Sequence, residues 1–386
     1  VSVTTPGGFR AAGVAAGIKA EGKLDLAFVV NDGPDQHAAG VFTRNKVQAA
    51  PVLWSRQVLA EGRLRAVVLN SGGANACTGP EGFQTTHVTA ERAAELLGCG
   101  AIEVAVCSTG LIGAQLPRES LLAGLGEAAK ALDGTERAGT DAATAVLTTD
   151  NHPKQAVFRA DAGWSIGGFA KGSGMIAPAM ATMLVTLTTD AVVDRADLDA
   201  ALRSATGHTF DRLDIDGGTS TNDTVLVLAS GASGIRVGRD ELTTALTTVC
   251  TDLVDLLQAD AEGVTKHVTI AVSGAATETQ ALAVGRAVAR DNLCKTAFFA
   301  SDPNWGRIAM AVGNAEAEMD PNRLEIVLNG VVVCRDGQAH GDRMAADLSG
   351  RDILVEIGLG AGDARGAIRT TDLSHAYVEE NSAYSS

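Results

Sequence analysis

Residues 163–193 read GWSIGGFAKGSGMIAPAMATMLVTLTTDAVV, and the architecture turns on this stretch. An apolar run rich in small residues leads into the glycine-rich KGSGM, and a second apolar, β-branched run begins near Ala181. The pattern is strand, loop, strand. A β-branched run after such a loop is compatible with plain core. Thr182 adds a chemical alternative, because it follows the small residue Ala181 and opens the run MLVTLTT. Its hydroxyl can attack the preceding carbonyl; an N-to-O acyl shift and ester hydrolysis then free an α-amine. That amine, with an ordinary pKa of about 7.7–8.0, can act as base for the same hydroxyl. Read from these residues alone, core threonine and N-terminal nucleophile both stay open.

Outward from this segment, short strands and amphipathic helices mix throughout. RAVVLN (65–70), IEVAVCS (102–108) and TVLVLAS (224–230) are short apolar runs ending in small or polar residues, as buried strands do when they run into functional loops. HVTIAVSG, RLEIVLNG and DILVEIGLG alternate, which predicts strands covering a helix layer on one face. Leu242, Leu246, Val249, Leu253 and Leu256 recur at helical spacing and predict one buried stripe. Helices are also expected over Thr89–Leu97, Ser120–Leu132 and Ala281–Arg290, the last behind a Thr277/Gln280 capping box. No internal repeat or low-complexity linker interrupts the pattern.

Composition narrows the function classes. The chain has 386 residues, 46% hydrophobic and 20% charged, enough for one large core or two ordinary domains. Its formal charge of −15 comes without a basic stripe, which argues against nucleic acid as partner. The most apolar stretch, GMIAPAMATMLVTLT, contains a proline and threonines and is too short to span a bilayer. The start, VSVTTPGGFRAAG, lacks a basic-then-apolar leader, so a cytoplasmic location is the expectation. Six cysteines include no CxxC pair, which excludes a disulfide scaffold or a zinc ribbon. Seven histidines include no HExxH, and GxxxxGK[ST] is absent. Neither a metal nor a tightly bound cofactor is expected.

KGSGMIAPAMATML resembles the self-cleavage segment of the ornithine acetyltransferase family, the bifunctional arginine-biosynthesis glutamate N-acetyltransferases. The resemblance runs nearly end to end, through GFRAAGVAAGIK (8–19), VFTRNKVQAAPV (41–52), LNSGGANACTG (69–79), CSTGLIG (107–113) and LTTDNHPK (147–154). It continues in DIDGGTSTNDT (214–224), DAEGVTK (260–266), KTAFFASDPNWGR (295–307) and the tail TTDLSHAYVEENSAYSS (370–386). It implies an α/β fold, an αββα sandwich with a second, smaller domain, autoprocessed in the manner of N-terminal-nucleophile enzymes. The implied cut between Ala181 and Thr182 yields an alpha piece, 1–181, and a beta piece, 182–386. Two of each would form a heterotetramer.

The implied reaction is a ping-pong transfer. N²-acetyl-L-ornithine gives its acetyl group to Thr182, L-ornithine leaves, and L-glutamate takes the acetyl group. Whether acetyl-CoA is a further donor stays open. Thr109 and Gly110, where IEVAVCS ends, are the implied oxyanion hole, since negative charge develops on the acetyl carbonyl oxygen in both half-reactions. A plain strand-to-turn junction is the other reading of Thr-Gly. Lys171 would pair with a substrate carboxylate or hold the nucleophile region electropositive; read by itself it is a surface lysine. Thr148 is an implied substrate contact. Glu262, otherwise a solvated helix-end residue, would orient the substrate amino end or balance the Thr182 amine. Asn381 and Ser386 belong to a tail that folds over the pocket in the family, although tails usually fray.

Other features divide differently. Cys107 reads as a buried small hydrophobe rather than a nucleophile, from the strand alternation. LNSGGANACTG and DIDGGTSTNDT read as turns that shape a pocket or support autocleavage. DPNWGR is equally compatible with a packed turn and a ligand contact. The enzymatic rival is an N-terminal-nucleophile amidohydrolase or aminopeptidase that passes the acyl group to water. A non-catalytic amino-acid-binding or structural protein with a buried Thr182 is the alternative from another class.

Overall fold

The computed structural model describes residues 1–176 and 183–383. The chain divides into two compact units, the first Val1–Asp211 with Gly218–Leu257, the second Arg212–Gly217 with Gln258–Ser386. The second is the smaller, as the expected fold class requires. Ala181, Thr182 and Ser386 lie outside the described residues.

The first unit begins with β1 (Phe9–Val14), β2 (Leu26–Asn31), β3 (His37–Phe42), α1 (Ala50–Val58) and β4 (Ala66–Asn70). It continues through α2 (Gly79–Leu97), β5 (Val104–Ser108), α3 (Arg118–Lys130), α4 (Glu136–Ala145), β6 (Lys154–Arg159) and β7 (Ser165–Lys171). Then come β8 (Leu184–Thr189), α5 (Arg195–His208), β9 (Thr224–Ala229) and α6 (Arg239–Ala259). One sheet has the order β1-β2-β4-β5, the other β3-β9-β8-β7-β6. Phe169, Leu184, Leu226 and Leu228 of the second sheet share an apolar cluster with Phe28, Val29, Val67 and Leu69 of the first. Burying that shared face drives the sheets together. Helices α2 and α3 pack on the four-stranded sheet and α5 packs on β3, completing an αββα arrangement. The strands predicted from short apolar runs, β4, β5 and β9, are buried at every residue, as strands covered on both faces are.

The second unit contains β10 (His267–Ala275), α7 (Glu278–Arg290), α8 (Asn292–Phe299), α9 (Trp305–Gly313), β11 (Glu325–Leu328) and β12 (Val331–Arg335). It ends with β13 (Gln338–Ala339), β14 (Asp352–Gly358), β15 (Ala364–Thr371) and α10 (His375–Ala383). Its sheet runs β13-β12-β11-β14-β10-β15. Val268, Ile270, Val272, Ile326, Leu328, Ile353, Val355 and Ile357 point into one core with Val284 and Val288 of α7, as the alternation predicts. Gly285 allows the close approach, since a Cβ there would meet Ile368 Cγ1 at 2.8 Å.

Three sequence expectations change. On α6 the buried stripe keeps Leu242, Leu246, Val249 and Leu253, then passes to Leu257; Leu256 is 40% exposed. A step of four from Leu253 holds the stripe in register where a step of three rotates it toward solvent. Helix α2 starts at Gly79, ten residues before the expected Thr89. Within its threonine-rich first half, Thr85, Thr86 and Thr89 satisfy their hydroxyls on the carbonyls of Glu81, Gly82 and Thr85, one turn back. At α7, Thr277 accepts the Gln280 N–H as predicted, but the Gln280 side chain reaches Glu318, so the box is closed on one side only.

Gly13 on β1 faces α4, where an added Cβ would stand 2.1 Å from the Asp141 carbonyl oxygen. Backbone cannot swing aside as a side-chain tip can. Gly13→Ala is expected to cost about 3 kcal/mol of stability, read as a lowered denaturant midpoint for the first unit.

Candidate active site

Strand β5 ends at Ser108, and the chain turns at Thr109 and Gly110, the pair that the family resemblance implies as an oxyanion hole. Gly110 has φ +132°, and a Cβ on it would stand 2.5 Å from Gly73 N, so only glycine fits. The turn is held from both sides. Thr109 N–H donates to Asn70 O at 2.9 Å, and Gly73 N–H donates to Thr109 O at 3.1 Å. Asn222 spans the Ala74 and Ser108 carbonyls with its amide, at 2.6 and 2.8 Å. LNSGGANACTG and the end of DIDGGTSTNDT are thus the braces of this turn.

Lys171, the last residue of β7, brings its ammonium to the same place. Its Nζ donates to Thr148 Oγ1 at 2.8 Å and to Thr109 Oγ1 at 3.2 Å, and lies 3.8 Å from Asp150 Oδ2. The Lys171 side chain is 1% exposed and that of Asp150 is fully buried. Lys154 Nζ holds the other carboxylate oxygen at 2.7 Å, and Gly172 N–H donates to it at 2.6 Å. Burial alone would push the Asp150 carboxyl up; Lys171 and Lys154, with the hydrogen bonds from Lys154 and Gly172, outweigh it and bring it to about 2. Because Thr109 Oγ1 accepts from an ammonium, its own proton is left to donate elsewhere, strengthened by the charge behind it.

In the second unit, Glu262 and Asn381 meet each other. Asn381 Nδ2 donates to Glu262 Oε2 at 2.9 Å and to Tyr377 O at 3.0 Å. Helix α10 is fastened at its start: Ser374 Oγ donates to Gly263 O, and Tyr377 N–H donates to Ser374 Oγ. Gly263, at φ +59°, is required, since a Cβ there would stand 2.1 Å from Tyr377 N.

Comparison with known proteins decides the family. The ArgJ family matches residues 10–386. An arginine biosynthesis bifunctional protein ArgJ of Mycolicibacterium paratuberculosis is 60% identical over 389 residues, spanning all of this chain and 96% of that protein. The protein of the same name from Streptomyces coelicolor is 55% identical over the full length of both. A crystal structure of ornithine acetyltransferase complexed with ornithine, from Mycobacterium tuberculosis, shares 62% identity over 46% of this chain and 94% of that one, with a TM-score of 0.46.

The chain belongs to the ArgJ family.

As an ArgJ protein it is an acetyltransferase of arginine biosynthesis. Three expected residues, Thr109, Thr148 and Lys171, are gathered at one point of the first unit; Glu262 and Asn381 are gathered in the second. Asp150 and Lys154 were missed, although both lie within LTTDNHPK at the i, i+4 spacing of an ion pair. Lys19, the last residue of GFRAAGVAAGIK, was missed as well; its Nζ donates to Leu147 O at 3.1 Å, beside Thr148. Asp223 was also missed. Cys107 is buried, and burial pushes its thiol to about 12, which suits a core residue and not a nucleophile. Within DPNWGR, Asn304 Nδ2 donates to Asp302 Oδ2, and Arg307, in the first turn of α9, donates to the Leu293 carbonyl of α8. Among the described residues no cluster of three His, Cys, Asp or Glu could hold a metal, and no helix is long and apolar enough to cross a membrane.

The buried Asp150 predicts an acid-sensitive stability term. Its folded pKa of about 2 lies below the unfolded value of about 3.9. Its contribution is therefore full above that unfolded value and lost as pH falls through the folded one. Asp150→Asn leaves Lys154 and Lys171 without their anion and is expected to cost about 3–5 kcal/mol near neutral pH. Denaturant unfolding should show the difference from the native chain closing as pH falls toward 2.

Proposed function

We propose that this ArgJ-family chain transfers the acetyl group of N²-acetyl-L-ornithine to L-glutamate through an acetyl ester on Thr182, after cutting itself between Ala181 and Thr182. The observation that carries the reading is the double hydrogen bond from the buried Lys171 ammonium to Thr109 and Thr148. It leaves the Thr109 hydroxyl proton directed by a charge, beside the Gly110 N–H, which has no acceptor among the described residues. Two donors of this kind suit a carbonyl oxygen that becomes negative on attack. In this reading Thr182 is the nucleophile, and its freed amine takes the hydroxyl proton and returns it to departing ornithine. Glu262 and Asn381 contact the amino-acid substrates, together with Ser386.

The sheet order supports an enzyme that stays whole after cutting. Strands β8 and β9 would belong to the 182–386 piece, yet they lie between β7 and β3 of the 1–181 piece. Backbone hydrogen bonds of β7 to β8 and of β3 to β9 would then join the two pieces within one sheet. Association of two such pairs gives the proposed heterotetramer. Acetyl-CoA, if a donor, would load the same threonine.

Intact mass spectrometry is expected to find pieces 1–181 and 182–386. Donor alone should add roughly 42 Da to the second piece, the mass of acetyl for hydrogen in a covalent intermediate. Thr182→Ala should abolish cleavage, label and transfer together. An active chain that is never cut, or a reciprocal plot that intersects with no labelled piece, would overturn the scheme.

Thr109→Val keeps the shape and removes the hydroxyl. In fully matured enzyme, kcat should fall on the order of 10²–10³-fold with KM for the donor changed much less. Unchanged kcat would make Thr109 a packing residue.

A further inference from the structure

Asp223 lies within DIDGGTSTNDT and enters none of the roles above. Its side chain is fully buried at the start of β9. Oδ1 accepts the Met183 N–H at 3.0 Å, and Thr224 N–H donates to Met183 O at 3.0 Å, so Met183 is clamped on both sides. Oδ2 is buried without a hydrogen-bond partner among the described residues. The groups facing it are Lys171 from β7, the Ser220 backbone and the Thr43 hydroxyl, whose proton is committed to Ser220 O at 2.6 Å. Burial dominates and drives the carboxyl well above its ordinary range, against the pull of the Met183 N–H, Lys171, Thr43 and Ser220. An orphaned buried carboxyl oxygen is costly to keep.

Met183, which Asp223 clamps, is the residue directly after the proposed nucleophile Thr182. The residue 182 nitrogen precedes the Met183 nitrogen by one residue of chain, a span of at most about 3.6 Å, so cleavage would create an amine one residue from the atom that Asp223 holds. In an uncut chain the residue 182 nitrogen is a neutral amide. Cleavage makes it an amine.

We infer that Asp223 is the counter-charge for the α-amine that cleavage creates at Thr182, a positioning residue that also sets the strength of that base. The inference rests on the cleavage proposed above. In the covalent steps the Ala181 C–N bond breaks as the ester to Thr182 Oγ1 forms, and the hydroxyl proton passes to the new amine. Water then hydrolyses the ester, restoring the hydroxyl and leaving a carboxyl on Ala181. Finally the Asp223 proton moves to the amine, giving a carboxylate–ammonium pair with no further reactant. During turnover the ammonium loses a proton to become the base, and the carboxylate beside it holds its pKa up.

Two measurements on the full-length protein test this, after mass spectrometry has established whether the wild type is cut. In the first, infrared spectra compare uncut Thr182→Ala with cut wild type, and no change is made at Asp223. A protonated aspartic carboxyl is expected in the uncut protein at neutral pH and should be absent from the cut one; its presence in both, or in neither, overturns the inference. In the second, matured Asp223→Asn keeps the acceptor for Met183 and removes the charge. Its acid limb of kcat should move down by about one pH unit or more, because losing the carboxylate lowers the amine pKa. Its kcat should drop about 10–100-fold with KM little changed, and Asp223→Glu should return the limb toward the wild-type position. A merely structural Asp223 would lower the active fraction and leave the limb where it was, and that result refutes the role. A wild-type chain that is never cut removes the cleavage reading and this one with it.

Discussion

An ammonium shut away from water must be surrounded by acceptors, and Lys171 meets that demand with Thr109, Thr148 and Asp150. They come from two places in the chain: Thr109 from the turn after β5, and Thr148 and Asp150 from the one loop that joins α4 to β6. One charge at the end of β7 therefore draws together elements that no local preference would join. Lys154 then shares Asp150, so two cations are held by one anion and the cluster keeps an excess of positive charge. That excess sits behind two hydroxyls, which is where a reaction that develops an oxyanion gains most from it.

The strand order ties this cluster to the described residues that flank the segment proposed to be cut. β7 and β8 are neighbours in the five-stranded sheet, and their register sets Lys171 opposite Leu184. β8 in turn runs parallel to β9, with Leu184 opposite Thr224. Asp223, directly before Thr224, then fastens Met183. Residues on both sides of the 177–182 segment are tied to the same sheet end, so hydrogen-bonded backbone carries the geometry there.

In the second unit the same economy of buried charge holds the approach to α10. Lys295, 5% exposed, gives its ammonium to Ile215 O, Thr370 Oγ1 and Thr371 O. Burial lowers it to about 8, against the pull of Asp214, Asp216 and Asp372. Asp372 receives the Thr265 and Lys266 N–H groups, and Gly263 admits Tyr377. A tail that composition alone marks as frayed is thus anchored as far as Asn381.

Much was legible in one dimension. Unbroken apolar runs marked β4, β5 and β9 because strands covered on both faces have no polar side to show. Alternation marked β10, β11 and β14 because one face meets helices and the other meets solvent. Thr109, Gly110, Thr148, Lys171, Glu262 and Asn381 could be named because they stand in segments that resemble a known family. The periodicities failed where one residue's step decides a face, as at Leu256, or where a helix begins in a threonine-rich stretch with little apolar periodicity, as in α2. Only the tertiary structure could show that Lys171 is a buried organiser and not a surface lysine, or that Asp150 and Lys154 close its charge. It alone singled out Asp223, with one carboxyl oxygen on Met183 and the other without a hydrogen bond among the described residues. Desolvation and charge pairing are properties of a position in space, and residues 40 or 60 apart in sequence acquire them together only when the sheets close.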